Sequence, residues 1–312
     1  MKPTTVEVRG LSRAFKKLVA VDALSFAAGE GELFGLVGPD GSGKTTTLRM
    51  LAGVLRPTAG DALLDGVSVV REPERVKRQL AYMSQRFGLY NDLTVLENLR
   101  FYADLYRVPA AERAKRIERL FRFSGLEPFG DRLAGRLSGG MKQKLGLSCA
   151  LIHEPKILLL DEPTFGVDPI SRRDLWMIVH EMVGRGVTAV VSTSYMDEAE
   201  RFDRLALIDR GRLLAVDTPE ALQAGLAGQL LSVRLERPRE ARAAALRSPL
   251  VRRAAVFGDR LHLLVAAAER NAPAVTRALE EAGFPVLASE VIAPSLEDVF
   301  IERITEAEGN AS

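Results

Sequence analysis

The sequence predicts an α/β fold, a parallel sheet flanked by helices, followed by a small α+β domain. Three strand-sized apolar runs, "LFGLV", "KILLLD" and "VTAVVS", alternate with segments of helical periodicity, which favours a parallel sheet with crossover helices. Residues 92–153 carry apolar side chains at three-to-four spacing and predict a helical insertion. After about residue 225 the pattern changes, which indicates a second domain.

The expected first domain, residues 1–224, begins with short strands. "VEVRG" and "LSFAAG" predict an antiparallel edge that leads into the buried strand "ELFGLVG". A helix from Thr45 to Leu55 follows a glycine-rich loop, and residues 92–153 form the helical insertion. The strand "KILLLD", the helix "SRRDLWMIVHEMVGRG" and the strand "VTAVVSTS" complete the alternation.

The expected second domain, residues 225–312, has a different order of elements. We interpret it as strand, helix, a hairpin around Gly258 and Asp259, helix and strand, which is a β-α-β-β-α-β, ferredoxin-like pattern. A last helix begins at Ser295, where Ser295 and Asp298 match a capping arrangement.

The composition excludes several classes of protein. The formal charge of the 312 residues is only +2, so no global field indicates a nucleic-acid partner. One cysteine and three histidines argue against a disulfide framework or a zinc site. No apolar run approaches the roughly 20 residues that a membrane span needs. The N-terminus lacks a hydrophobic secretion segment. We therefore expect a cytoplasmic protein, peripheral to a membrane only through a partner.

The stretch "GPDGSGKTTT" carries the strongest signal for chemistry. Gly38, Gly43, Lys44 and Thr45 fit G-x-x-x-x-G-K-[ST], the phosphate loop of P-loop NTPases, between a strand and a helix. Bare backbone N–H groups and a helix N-terminus bind anions. Lys44 would reach the β- and γ-phosphates, and the Thr45 hydroxyl would bind Mg²⁺. The other predicted members of this loop are Pro39, Asp40, Gly41, Ser42 and Thr46.

Two acidic side chains end the strand "KILLLD". Asp161 would hold Mg²⁺, directly or through water, and Glu162 would polarise the attacking water. The carboxylate of Asp40 should repel phosphate, so we expect it to cap loop amides or to point outward.

The segment "LSGGMKQKL", residues 137–145, resembles the signature motif of ABC transporter nucleotide-binding subunits. Together with the phosphate loop and "LLLDEPTFGVDP", the resemblance covers about the first 220 residues. It implies a RecA-like P-loop NTPase core with an antiparallel β subdomain and a helical subdomain. It also implies ATP and Mg²⁺ as cofactors and one or more transmembrane permease subunits as partners.

The resemblance also implies roles at the edges of the site. Phe15 would stack on adenine, unless it is a core aromatic. Gln85 would sense Mg²⁺ and water and link the site to the membrane partner, and residues 86–93 would form part of the docking surface. Ser138, Gly139 and Gly140 would complete the nucleotide site of an opposite subunit. Asp168 would lie at the interface of the two subunits, although a simple helix cap explains it as well.

One position departs from the family. The family has a γ-phosphate-contacting histidine in a pattern that resembles S-T-H-x-x-x-E-A-E, whereas this chain reads "STSYMDEAE", with Ser194 in that place. A hydroxyl is shorter than imidazole and cannot become cationic. We expect ATP binding with reduced turnover, in a homodimer or in a heterodimer with a companion nucleotide-binding domain.

The ending "PSLEDVFIERI" resembles the tail of single-domain ATPases of drug- and lipid-export ABC systems, although a generic capped helix would look similar. The implied function is the motor of an exporter. The alternative is a nucleotide-gated regulatory subunit that hardly hydrolyses ATP. Translation-factor and DNA-repair ATPases share the signature but normally carry two such domains with a charged linker, or long coiled coils. This sequence shows neither feature.

Overall fold

The computed structural model describes residues 3–85 and 88–309. It divides into two compact units, Met1–Val216 and Asp217–Ser312. Among the described residues, no helix is both long enough and apolar enough to span a bilayer.

The first unit opens with a four-stranded antiparallel sheet, in the order β2-β1-β4-β5. Its strands are β1 (Thr4–Phe15), β2 (Leu18–Gly29), β4 (Ala59–Leu64) and β5 (Val67–Ser68). A tight hairpin joins the first two strands, so that Phe15 pairs with Leu18. Apolar residues of β1, among them Val6, Val8 and Leu11, are buried, which explains the alternation in the sequence.

A six-stranded sheet forms the centre of this unit, in the order β10-β9-β3-β8-β7-β6. Its strands are β3 (Leu33–Val37), β6 (Leu80–Met83), β7 (Ile157–Asp161), β8 (Thr188–Thr193), β9 (Arg204–Asp209) and β10 (Arg212–Asp217). β3 pairs in parallel with β8 and β9, and β7 pairs in parallel with β6 and β8. Every residue of β3, β7 and β8 is buried, as their continuous apolar runs predict.

Helices connect and flank these strands. They are α1 (Lys44–Leu51), α2 (Pro73–Gln79), α3 (Val95–Leu105), α4 (Ala110–Ser124), α5 (Gly139–Leu151), α6 (Pro169–Gly184) and α7 (Met196–Ala199), with 3-10 turns at Glu127–Phe129 and Ala134–Arg136. α3, α4 and α5, which lie between β6 and β7 in the sequence, pack on one another. α1 ends at Leu51 rather than at Leu55, because Gly53 adopts a left-handed φ of 65°.

The main core of the first unit lies between its two sheets. Apolar side chains of the antiparallel sheet, α1 and the six-stranded sheet form one buried cluster, in which the rings of Phe26 and Phe34 stack at 5.1 Å. Because α1 takes part in this cluster, the loop before it is fixed against the sheet.

The second unit contains α8 (Pro219–Ala224), β11 (Gln229–Arg234), α9 (Pro238–Ala245), β12 (Val251–Phe257), β13 (Arg260–Val265), α10 (Ala268–Glu281), β14 (Ala288–Ile292) and α11 (Leu296–Gly309). Its strands form an antiparallel sheet in the order β12-β13-β11-β14. α9 and α10 contribute to its core, and α8 packs on α11.

Candidate functional site

The loop between β3 and α1 exposes its backbone. Gly41 and Gly43 have φ angles of 80° and 103°, in the left-handed region that favours glycine. A Cβ at Gly38 would lie 2.1 Å from the carbonyl oxygen of Ile208, and one at Gly43 would lie 2.5 Å from that of Ala20. The chain can take this path only with glycine at both positions.

Lys44 is the first residue of α1 and is buried at the base of the loop. Its ammonium donates hydrogen bonds to the carbonyl oxygens of Gly38, at 2.7 Å, and Pro39, at 3.0 Å. Its Nζ also lies 3.3 Å from Oε1 of Glu162. The buried positive charge is therefore compensated by oxygens that a phosphate group could replace.

Asp161, at the end of β7, is tied to the helix that follows the loop. The Thr45 hydroxyl donates to its Oδ1 at 2.9 Å, and the Ser192 hydroxyl donates to the same atom at 2.8 Å. The Tyr82 hydroxyl lies 3.4 Å from Oδ2, and burial together with the Asp161 charge raises the pKa of Tyr82 to about 12. Tyr82 therefore remains a hydrogen-bond donor at neutral pH.

Glu162 has an unusual backbone and a perturbed carboxyl group. Its φ is 46°, and its N–H donates to the Ser192 hydroxyl at 3.0 Å. Burial raises the pKa of its carboxyl above the ordinary value, and the Lys44 cation opposes that rise. Like charges on Asp40 and Asp161 raise the pKa further.

A cavity of about 500 Å³ lies in front of the loop. The sequence-predicted residues that line it are Phe15, Asp40, Gly41, Gly43, Lys44, Thr45, Thr46, Gln85 and Glu162. Asp40 and Gln85 are exposed, and Asp40 makes no hydrogen bond among the described residues.

Three further lining residues, Leu18, Ala20 and Phe165, are missing from the sequence analysis. Leu18 and Phe165 are 66% and 50% exposed, unusual for such large apolar side chains. Leu18 lies across the β1–β2 hairpin from Phe15. The apolar start of "LVAVD", three residues after the predicted adenine-contacting aromatic, was a signal in the sequence for this position.

Other predicted residues lie outside the cavity lining. Ser42 is buried within the loop, and Asp161 contacts the site through Thr45. Ser194 follows β8 and is half-buried, and its closest link to the loop is the carbonyl of Thr193, which accepts the Gly38 N–H at 3.3 Å. Arg86 and Phe87, at the start of the expected docking surface, lie outside the described residues.

The signature segment is separate from the cavity of its own chain. The Ser138 hydroxyl caps α5 by accepting the Met141 N–H at 3.3 Å, and Ser138 and Gly139 are exposed. Gly140 is buried, and a Cβ there would lie 2.2 Å from the Ser171 hydroxyl oxygen. The Asp168 carboxylate caps α6 by accepting the Ser171 N–H at 3.0 Å.

Within residues 3–85 and 88–309, no group of three or more His, Cys, Asp or Glu side chains is arranged to hold a metal. A second cavity of about 410 Å³ is bordered by α4, the end of α5 and the end of α6, and it contains none of the predicted site residues.

The fold and this site define a class of protein. A glycine loop between a parallel strand and a helix, with a carboxylate at the end of a neighbouring strand, is the arrangement of P-loop NTPases. The sequence model of the family described as "ABC transporter" matches residues 21–165. The chain belongs to the ATP-binding subunits of ABC transporters.

Relatives support this assignment over nearly the whole chain. The chain is 43% identical over 308 residues to the probable multidrug ABC transporter ATP-binding protein YbhF of Escherichia coli (strain K12). That match covers 97% of this chain and 53% of YbhF, so the chain spans about half the length of that relative. It is 36% identical over 313 residues to the Nod factor export ATP-binding protein I of Paraburkholderia xenovorans (strain LB400), with 99% of each chain covered.

A solved structure shares the fold of the first part of the chain. It is described as a dimeric, post-hydrolysis state of the ATP-binding cassette MJ0796 bound to ADP and Pi. The TM-score is 0.62 and the sequence identity 26%, with 68% of this chain and 98% of that chain covered.

Proposed function

We propose that this chain is the ATPase subunit of an ABC exporter, which couples ATP-driven dimerisation and hydrolysis to transport by a separate membrane protein. One observation carries the proposal. The buried ammonium of Lys44 lies between loop carbonyls and the Glu162 carboxylate, on the wall of a cavity of about 500 Å³. Export is supported by the two relatives, one a probable multidrug ABC transporter ATP-binding protein and the other a Nod factor export ATP-binding protein.

In this proposal, different residues of the cavity bind different parts of ATP. The loop amides and Lys44 would bind the β- and γ-phosphates, because the ammonium is already held where anionic oxygen would replace its present partners. Phe15 and Leu18, which border the same cavity, offer exposed apolar surface to the adenine ring.

The donor set also fits Mg²⁺. The Thr45 hydroxyl and an Asp161 carboxylate oxygen meet at 2.9 Å, and Mg²⁺ prefers one or two such hard oxygens completed by phosphate and water. When bound, Mg²⁺ supplies neutralisation of the negative charge on the phosphate oxygens. Gln85, exposed at the rim of the cavity, would contact the ion and the attacking water and signal to the permease.

Glu162 would act as the general base. Its carboxylate accepts a proton from the water that attacks the γ-phosphorus, the bond to the β-phosphate oxygen breaks, and ADP and phosphate leave. Burial, which raises the pKa of Glu162, makes the carboxylate a stronger base than an exposed one.

A second nucleotide-binding domain would complete the site. Ser138 and Gly139 are exposed at the start of α5, and neither they nor Gly140 line the cavity of their own chain. They would close over the nucleotide of an opposite subunit, with Asp168 at the interface. The dimeric description of the MJ0796 structure supports this arrangement. Either a homodimer or a heterodimer would provide this second nucleotide-binding domain.

Ser194 favours a second candidate function. Its hydroxyl is shorter than imidazole and cannot become cationic, so we propose that turnover is reduced relative to a site with histidine there. The alternative is a weakly hydrolysing, nucleotide-gated regulatory subunit that pairs with a more active ATPase domain.

We further propose that residues 1–224 form the nucleotide-binding domain and residues 225–312 an accessory domain with a ferredoxin-like fold. The β-α-β-β-α-β succession from β11 to β14 and the strand order β12-β13-β11-β14 support the latter. The subunit would lie at the cytoplasmic face of the cell membrane, held there by its permease.

Mg²⁺-dependent ATPase rates test the proposed function. We expect Glu162→Gln to lower the rate by about 10²- to 10⁴-fold, because the general base is lost. Ser194→His should raise the wild-type rate, because imidazole reaches farther and can carry charge. Glu118→Gln, on the exposed surface of α4, is the control and should leave the rate unchanged.

Two outcomes would decide against the proposal or between its versions. A rate that is unchanged in Glu162→Gln would refute ATP hydrolysis by this site. The regulatory subunit would be favoured by a different result. ATP would bind tightly, but the ATPase rate would be only a trace, would not depend on Glu162 and would not increase in Ser194→His.

A further inference from the structure

The loop that carries Ser194 is held by a buried network that the phosphate site does not use. Ser194 follows β8 directly, and its side chain makes no hydrogen bond to the rest of the described chain. The position of its hydroxyl is therefore set by its backbone and by the residues on either side of it. Of its two neighbours, Thr193 donates to the carboxylate of Glu198, and Tyr195 is linked to that carboxylate only indirectly, because its N–H donates to the Thr193 hydroxyl.

Glu198 is fully buried, at 0% exposure, and both of its carboxylate oxygens are hydrogen-bonded. Oε1 accepts from Arg172 Nε at 2.6 Å and from the indole N–H of Trp176 at 3.0 Å. Oε2 accepts from the Thr193 hydroxyl at 2.7 Å. A buried carboxylate with three donors is strongly oriented, because loss of any donor leaves charge without solvation.

The Thr193 hydroxyl transmits this orientation to the loop. It donates to Glu198 and accepts the N–H of Tyr195 at 3.0 Å, so it bridges the two sides of Ser194. The ring of Tyr195 also lies under the Arg172 guanidinium, 4.8 Å from its carbon. The backbone before and after Ser194 is thus fixed by contacts that converge on Glu198 and Arg172.

The network extends along α6 to the signature segment. Arg172 and Trp176 lie one turn apart on α6 and present the same face to Glu198. One residue before Arg172, Ser171 packs so closely on Gly140 that a Cβ there would lie 2.2 Å from its hydroxyl oxygen. The first turn of α6 therefore contacts the Ser194 loop and the α5 N-terminus simultaneously.

We propose that Glu198 is a positioning residue that, with Arg172 and Thr193, holds the Ser194 hydroxyl where it contacts the terminal phosphate of the bound nucleotide. The inference rests on the proposed function, since it needs ATP in the cavity beside Lys44. It adds a role for three residues outside that cavity, and it gives the short serine side chain a rigid support. Glu198 acts through Ser194 and does not touch the nucleotide.

The readout is the preference for ATP over ADP, measured as the ratio of equilibrium dissociation constants by titration calorimetry in the non-hydrolysing Glu162→Gln background. A contact with the terminal phosphate exists only with ATP, whereas a general loss of stability weakens both nucleotides alike. We expect Ser194→Ala to reduce the preference about tenfold, the scale of one hydrogen bond to a charged group. Glu198→Leu should reduce it by a similar factor.

The double variant separates positioning from an independent effect. If Glu198 acts through Ser194, Ser194→Ala/Glu198→Leu should show the same tenfold loss as either single variant rather than about a hundredfold. Thr193→Val, which keeps the shape of the side chain and removes the bridge, covers the case in which Glu198→Leu does not fold. It should also lower the preference for ATP.

The control is Glu32→Leu, which removes another buried glutamate that pairs with an arginine, Arg204, in the same unit. It should leave the ATP/ADP ratio unchanged. If ATP still binds, an unchanged ATP/ADP ratio in Ser194→Ala would overturn this inference but not the proposed function. An unchanged ratio in both Glu198→Leu and Thr193→Val would have the same meaning. If the parent protein binds no ATP, the proposed function fails and the inference fails with it.

Discussion

Glu162 and Lys44 form a buried ion pair in which, in the absence of nucleotide, each charge compensates the other. Both side chains are less than a tenth exposed, and their nearest polar atoms are 3.3 Å apart. Burial favours the neutral acid and the nearby ammonium favours the carboxylate, so the pKa of Glu162 is raised less than burial alone would raise it. A phosphate that binds Lys44 would weaken this support and make Glu162 more basic at the moment of catalysis.

The raised pKa of Glu162 predicts the acid limb of the ATPase profile. Protonated Glu162 cannot accept a proton from water, so kcat should fall as pH falls through the pKa of this group. Because that pKa lies above the value of about 4.3 for an exposed glutamate, the fall should begin at a higher pH. The measurement is kcat against pH at saturating Mg-ATP, with circular dichroism to confirm that the protein stays folded.

The matched variant for this profile is Glu162→Gln, whose residual rate should show no such limb. A wild-type limb centred at or below the pKa of an exposed glutamate would mean that burial does not control this carboxyl group.

The last helix, α11, is fixed to the sheet of the second unit by polar contacts. Its first turn is capped reciprocally, since the Ser295 hydroxyl accepts the Asp298 N–H at 3.2 Å and the Asp298 carboxylate accepts the Ser295 N–H at 3.0 Å. The fully buried Asp298 carboxylate also lies 2.9 Å from Nδ1 of His262 on β13. One turn later, Glu302 pairs with the buried Arg253 of β12 at 2.9 Å.

Removal of Glu302 should destabilise the second unit far more than removal of a neighbouring glutamate. Glu302→Ala leaves the buried Arg253 guanidinium without its carboxylate, which costs about 3–5 kcal/mol. Glu306→Ala, on the same helix, breaks only the exposed pair with Arg303 and should cost less than about 1 kcal/mol. Urea unfolding of the full chain, followed by circular dichroism, measures both. Equal effects of the two substitutions would contradict a stabilising role for the buried pair.

The sequence predicts features that depend on near neighbours better than features that depend on register. The glycine loop, the strand that ends in Asp161 and the cap at Ser295 each lie within a few residues, so their patterns are visible. The hydrogen bond between Thr45 and Asp161, and the pair of Asp298 with His262, join residues far apart in the chain. These contacts depend on the order of the strands in the sheets, which no local sequence pattern shows.

Site residues that the sequence did not predict were missed for the same reason, because their positions depend on contacts between distant parts of the chain. Leu18 reaches the cavity because the hairpin sets it opposite Phe15, a matter of turn geometry. Ser194 is found by its place after a buried strand, but its support by Glu198 and α6 depends on tertiary packing that no local pattern shows.

The exposed start of α5 predicts that two copies of the chain associate when ATP is bound. We expect Glu162→Gln to become dimeric in saturating Mg-ATP, because it retains the nucleotide that the signature segment of a second copy would cover. Size-exclusion chromatography with light scattering measures the mass. Persistent monomers at saturating ATP would contradict the homodimer.

A substitution at Gly139 provides the control for this experiment. The position is exposed, and a Cβ there would have only the Gly166 carbonyl oxygen, at 4.0 Å, as a neighbour, so the fold should accept a side chain. Gly139→Asp should prevent the dimer by placing a negative charge against the partner's phosphates, whereas Gly139→Ser should permit it.

The left-handed backbone of Glu162 has a consequence for how this protein can change. A side chain with a Cβ loses roughly 1–2 kcal/mol in that conformation, while glycine loses almost none. Replacement by glycine would relieve that strain, but it would also abolish the base and leave the buried Lys44 ammonium without its carboxylate. Because the loss of a buried partner costs about 3–5 kcal/mol, more than the strain that glycine relieves, a laboratory search for heat-resistant variants should retain Glu162 even if it ignores turnover.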